Sequence, residues 1–338
     1  MKRISWLLFL FFAAGCQSSP EVDGSMEVLA DELRSPWDLE IYGEDYFISE
    51  REGNVVTVAD GQVNRAPLQT SEEIVQIGEG GLLGFHLHPD YETNNLAFAY
   101  HTYEDNGLKN RVVLVENQGS EWIEIESVLE NIPGARFHNG GRIEMSPDCF
   151  LFVTTGDALE ENTARDLSSL SGKILRMNMD GRVPSDNPIN NSYVYSYGHR
   201  NPQGLAWTEE GQLYASEHGP DAHDEINRID AGADYGWPDY VGDEHDDSVT
   251  APLFHTGTET WAPSGITIYE DQLWIATLRG TALRTLSLEG GNPEVVTEQY
   301  GRIRDVVEQE GVLFFITNNT DGRGSPADND DRLVRYSP

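Results

Sequence analysis

A set of residues capable of chemistry recurs at the ends of short apolar runs in this chain. His138 lies in Arg136-Phe137-His138-Asn139-Gly140-Gly141-Arg142, and Asp157 follows Thr155-Gly156. Arg200 and Asn201 lie in Gly198-His199-Arg200-Asn201-Pro202-Gln203, Arg279 in Leu278-Arg279-Gly280, and Arg302 and Arg304 in Arg302-Ile303-Arg304-Asp305. Taken singly, each reads as a loop or turn residue. Brought together they mean more. Four arginines around one histidine and one aspartate repel one another and call for an anion. Guanidinium forks suit carboxylates, so the inferred ligand is a small polycarboxylate.

A second group is rich in oxygen. Asp221, Asp224 and Glu225 offer carboxylates, and Gly219-Pro220 can turn carbonyls toward an ion. Tyr235 follows Glu225 by ten residues and opens the tight turn Gly236-Trp237-Pro238. Hard oxygens on loops favour calcium. His218 and His223 lack a third nitrogen or sulfur ligand at zinc spacing, so zinc is set aside. The chain contains no nucleophile elbow, dinucleotide fingerprint or phosphate loop. Gly322-Arg323-Gly324 reads only as a turn.

What must position these loops is a repeat. An apolar strand, an acidic or glycine-containing turn and a second apolar strand recur at 36–50, 81–100, 141–155, 203–216, 264–276 and 303–317. The spacing, roughly 40 to 60 residues, is that of a four-stranded propeller blade. The repeat predicts an all-β, six-bladed propeller with its loops at one mouth of a central channel and 332–336 as the closing strand. A β-sandwich or a two-domain β protein is the alternative, and the constant strand–turn–strand order argues against both.

The chain has 338 residues and a net charge of -36, from 58 acids against 22 bases. Such a surface repels phosphate backbones and excludes nucleic acid as a partner. Lys2 and Arg3 precede the apolar run Ile4–Phe12 and then Ala13-Ala14-Gly15-Cys16. This resembles a lipoprotein signal, with Ala13 where leucine is usual. The expected organisation is a signal peptide at 1–15, a polar tether at 16–27 and a propeller at 28–338. Cys16 would be the lipidated residue, and Gln17 after it lacks the inner-membrane retention signal. The expected place is the periplasmic side of the envelope, on the outer membrane, with no transmembrane helix. Cys149 alone remains, so no intrachain disulfide is available.

Several motifs together resemble the soluble quinoprotein aldose (glucose/sorbosone) dehydrogenases. They are Gly80-Gly81-Leu82-Leu83-Gly84, His138-Asn139-Gly140-Gly141-Arg142, Gly198-His199-Arg200-Asn201-Pro202-Gln203-Gly204, Ser216-Glu217-His218-Gly219-Pro220, Asp224-Glu225-Ile226-Asn227 and Tyr235-Gly236-Trp237-Pro238. The resemblance runs over roughly residues 30 to 338. It implies a six-bladed propeller that binds pyrroloquinoline quinone (PQQ) and Ca2+ and oxidises aldose sugars to lactones, passing electrons to an external acceptor. His138 would be the base and Asp157 the carboxylate that orients it. Arg200 and Asn201 would lie by the reactive carbonyl, and Arg279, Arg302 and Arg304 would hold the cofactor. Gly219 and Pro220 would hold its calcium, and Glu225 and Tyr235 a second calcium. Glu79 stands at the substrate mouth where the family usually has Gln, and His223 where Gly is more usual. Two rivals remain: a calcium-dependent propeller lactonase, which has no need of four arginines, and a non-catalytic surface-binding propeller.

Overall fold

The computed structural model describes residues 24–338. The signal peptide, Cys16 and most of the expected tether lie outside the described residues. Twenty-four strands form six four-stranded antiparallel units. The second strand of each unit lies between the innermost strand and the third. All six repeats read from the sequence are the inner two strands of a blade, from Pro36–Tyr42 with Asp45–Glu50 to Ile303–Gln309 with Val312–Thr317. Blades one and two are further joined at their outer edges, where Leu68 and Gln69 pair in parallel with Trp122 and Ile123.

The closing of the ring differs in detail from the sequence expectation. Leu333–Ser337 is the third strand of blade six, and Ser25–Ala30 pairs on its outside as the fourth. Residues 25–27, expected in the tether, are therefore part of a propeller strand. The first and last described strands thus pair with each other in one sheet, which ties the two ends of the described segment together.

The core is divided among the blade interfaces. Six apolar clusters fill them. Phe85 and Trp122 pack on blade one, Phe152 and Leu213 join blades three and four, and Phe315 and Val334 pack on blade five. Leu83 with Ile143, Ile266 with Ala206, and Leu39 with Ile316 fill the other three. Strand Leu151–Thr155, the second of blade three, is buried at every residue because each blade is covered on both sides.

At the mouth end, five of the six inner strand pairs lose register, as between Pro36 and Asp38 and between Ile303 and Asp305. Bulges there bend the strand and re-aim the next side chains toward the axis. Across the neck, Arg142 of blade three bonds Asp38 of blade one and Asp305 of blade six, the latter at 2.8 Å, above the Trp37 ring. Among the described residues no helix is long and apolar enough to cross a membrane. Cys149 is free and exposed in its turn.

Candidate active site

His138 lies on the loop entering blade three, with a backbone φ of 60°, a conformation that costs a non-glycine residue energy. Its Nδ1 is 2.8 Å from Asp157 Oδ1. Asp157 is wholly buried and also accepts the Leu159 N–H at 2.9 Å and the Trp237 indole N–H at 2.9 Å. A carboxylate so fixed keeps the proton on Nδ1 and leaves Nε2 as the basic nitrogen. Gly156 makes the approach possible, since a Cβ there would lie 2.0 Å from the His138 carbonyl oxygen.

Next to this pair is a surface of unsatisfied donors. The Arg200 guanidinium donates to the His218 carbonyl at 3.1 Å and stands over Trp237. Asn201 accepts the Gly140 N–H at 3.0 Å. Arg304 is buried and donates to Gln203 Oε1 at 2.9 Å and Ser264 Oγ at 3.3 Å. Burial lowers Arg304 to about 9, with Arg302 and Arg51 adding repulsion. Among the described residues it has no carboxylate partner. Arg200 Nε, Arg304 Nε, Asn201 Nδ2 and His218 Nε2 are all buried without a hydrogen-bond partner. Leaving such groups unpaired costs about 1–3 kcal/mol each, more for charged ones, so these donors fit a ligand rich in acceptor oxygens.

Two of the expected arginines are placed differently. Arg302 already donates to Asp321 at 2.7 Å and to the Asn318 carbonyl at 3.0 Å, so its charge is matched within the protein. Arg279 is exposed, and its neighbour Leu278 faces the cavity instead.

Gly219, Pro220, Glu225 and Tyr235 line one pocket with Glu217 and Arg200. Burial, and then the nearby Glu217, push the Glu225 carboxyl up to about 8. Glu217, buried, and Glu225, half-buried, face one pocket, an arrangement that suits a hard cation. Asp224 does not belong to that set. Its oxygens take the N–H groups of Gly219 at 3.0 Å, Trp261 at 2.6 Å and Ala262 at 2.8 Å, so it clamps the loop. The Tyr235 hydroxyl donates to the Arg228 carbonyl at 2.6 Å and accepts the Asp230 N–H at 2.9 Å, so its main-chain oxygen is the one better placed to meet a cation.

Residues 33–333 match the family described as Glucose / Sorbosone dehydrogenase. The chain belongs to that family. It is similar to the solved PQQ-bound aldose sugar dehydrogenase of Streptomyces coelicolor, with 37% identity and a TM-score of 0.86 over 94% of this chain and 99% of that one. Aldose sugar dehydrogenase YliI of Escherichia coli is 28% identical over 88% of this chain and 91% of its own length. Quinoprotein glucose dehydrogenase B of Acinetobacter calcoaceticus is 35% identical over 50% of this chain, a match that spans 42% of that protein.

Within this dehydrogenase-family site, sequence reasoning missed Arg51 and Trp37. Arg51 is buried, donates to the Gly78 and Gly80 carbonyls at 2.5 and 2.8 Å, and lines the cavity beside Arg304 and Trp37. The signal was present in the repeat. Pro36, Pro202, Pro263 and Ile303 open their inner strands and pair with Glu50, Glu217, Thr277 and Thr317. The next residues are Arg51, His218, Leu278 and Asn318. By that rule Leu278, not Arg279, turns inward.

Proposed function

We propose that this chain oxidises aldose sugars at the anomeric carbon, using PQQ held over the channel mouth and a calcium ion beside it. The observation that carries the reading is the His138–Asp157 pair beside Arg200, which stands over the Trp237 ring that bonds Asp157, together with the unpaired buried donors of Arg200 and Arg304. Arg304, Arg51 and Arg200 supply positive charge where a polycarboxylate would lie, and Asn201 and His218 supply further N–H groups. Arg302 contributes through its pairing with Asp321, and Arg279 from the rim. Gly219 and Pro220 carbonyls would hold the cofactor's calcium. Glu225 and the Tyr235 carbonyl would hold a second, structural one.

The quinone, when bound, supplies a two-electron acceptor for the hydride on the sugar's C1. His138 Nε2 takes the proton of the anomeric hydroxyl as that hydride departs, which leaves a C1=O bond and a lactone. Asp157 stabilises the imidazolium that results. Arg200 stabilises negative charge that develops on oxygen. Electrons then leave to an external acceptor. We also infer that Cys16 anchors the protein to the outer membrane on its periplasmic side. Loss of membrane association in Cys16→Ser supports the anchor, and retention overturns it.

The test is an aldose-oxidation assay on protein stripped with chelator and then given PQQ, calcium, both or neither. Turnover only with both supports the reading. Lactone hydrolysis without the quinone favours the lactonase instead. Sugar binding with no turnover under any addition favours the binding propeller.

A further inference from the structure

The turn Gly322-Arg323-Gly324, without a role in the sequence, carries its arginine to the mouth. Arg323 Nη1 donates to Glu79 Oε1 at 2.8 Å, linking the blade-six loop to the entrance of blade two. The other oxygen, Glu79 Oε2, accepts the His138 main-chain N–H at 3.0 Å. Both carboxylate oxygens are thus engaged, and Glu79 has little left to offer a sugar. Burial alone would raise this carboxyl. His218, Arg323 and the His138 N–H instead bring it to about 2, so it is charged across the working pH range.

The supporting loop is built rather than loose. Asp321 takes the Arg323 main-chain N–H at 2.9 Å through one oxygen and Arg302 at 2.7 Å through the other. Asp331 fixes Thr320 Oγ1 at 2.5 Å and Thr317 Oγ1 at 3.1 Å. The guanidinium stands over the Phe137 ring at 5.4 Å, one residue from His138. The Glu79 side chain is 18% exposed and that of Arg323 43%, so the guanidinium is the part that faces the opening. Among the described residues its Nε and Nη2 have no side-chain or main-chain acceptor.

We propose that Arg323 is a specificity-determining residue that donates to a hydroxyl of the bound aldose, and that Glu79 is the positioning residue tying it to the His138 backbone. The inference rests on His138 being the base. A neutral amide at position 79 would both accept the His138 N–H and donate to sugar. A carboxylate only accepts, and the missing donor is supplied by Arg323. The pair also restrains His138 in its left-handed conformation.

The experiment uses PQQ- and calcium-loaded enzyme with glucose and its monodeoxy analogues. The variants are Arg323→Ala, Arg323→Gln, Glu79→Gln and the double variant Glu79→Gln/Arg323→Ala. Loss of a charge-assisted contact to sugar should lower kcat/KM for glucose by about 10–100-fold in Arg323→Ala. That loss should fall mainly on KM, and one deoxy analogue should lose its disadvantage. The double variant should recover part of the loss, because the amide then donates for itself. Arg323→Gln, which keeps a donor on a shorter side chain, should fall between. Equal losses on every sugar, or no recovery in the double variant, overturn the proposal. So does a matching loss of quinone affinity by fluorescence titration, which would place Arg323 in the cofactor clamp. Failure of the underlying reading is separate: it would appear as full activity in His138→Ala, whatever Arg323 does.

Discussion

Arg304 shows what a site tuned for an anion costs an empty protein. Its guanidinium is buried, has only neutral acceptors and leaves Nε unpaired. A buried charge without an opposite partner keeps its desolvation cost unrecovered, and an apolar side chain of similar size removes that cost. Arg304→Met is therefore expected to raise or preserve the thermal midpoint of the apo-protein and to weaken PQQ binding by about 10–100-fold, the worth of a charged hydrogen bond. Calorimetry with and without PQQ checks both halves. A drop in apo stability with unchanged quinone affinity would make Arg304 a structural residue. The His138–Asp157 pairing was legible in the sequence because both residues sit in distinctive glycine-containing turns. Arg51 was not, because Ser49-Glu50-Arg51 reads as solvated charge until the strand register is known.

At the scale of elements, the inner strand pairs were legible and the outer strands were not. Inner strands such as Leu151–Thr155 are buried at every residue and stand out as apolar runs. Outer strands such as Ser25–Ala30 and Phe254–His255 are short or half-exposed, and their composition matches that of loops. The same limit explains Arg279. It lies past the end of strand Gln272–Thr277, in a turn, where strand alternation no longer tells which way a side chain points. The junction between strand Leu151–Thr155 and the loop that carries His138 offers a sharp test. Gly156→Ala would force a Cβ to 2.0 Å from the His138 carbonyl and push the two loops apart. The expected result is a fall in kcat of about 10²-fold, as for a small misplacement of a catalytic group, with far-UV circular dichroism unchanged. Wild-type kcat in Gly156→Ala would mean that the loop tolerates the shift and that the close approach is incidental.

At the scale of the whole molecule, the described residues form a ring in which strand Ser25–Ala30 pairs with strand Leu333–Ser337, with a channel lined by charges drawn from different blades. Glu40, His86 and Glu144 meet there, on the inner strands of blades one, two and three. Burial would lower His86, but Glu40 at 2.9 Å and Glu144 at 3.8 Å hold it up to about 9. Burial pushes Glu144 up to about 7. Both groups bind protons more tightly in the folded chain than in the unfolded one. The His86 contribution is therefore complete below about pH 6.5, the unfolded value, and is lost as pH rises through about 9. Denaturant midpoints measured from pH 6 to 9.5 should fall more steeply for the wild type than for His86→Gln. Parallel curves would mean that His86 has no share in the alkaline loss. The surplus of 58 acids over 22 bases adds self-repulsion, and added salt should relieve it in both proteins alike.

The account stands or falls on proton abstraction by His138, held at 2.8 Å by the buried Asp157. The direct measurement is stopped-flow reduction of enzyme-bound PQQ by an aldose in wild type, His138→Ala and Asp157→Asn. Removal of a general base costs about 10²–10⁴-fold, so His138→Ala should reduce the quinone at least 10²-fold more slowly while binding it almost as tightly. Asp157→Asn should be slowed less, because it orients the base without accepting the proton itself. Quinone reduction by His138→Ala at the wild-type rate would contradict the mechanism.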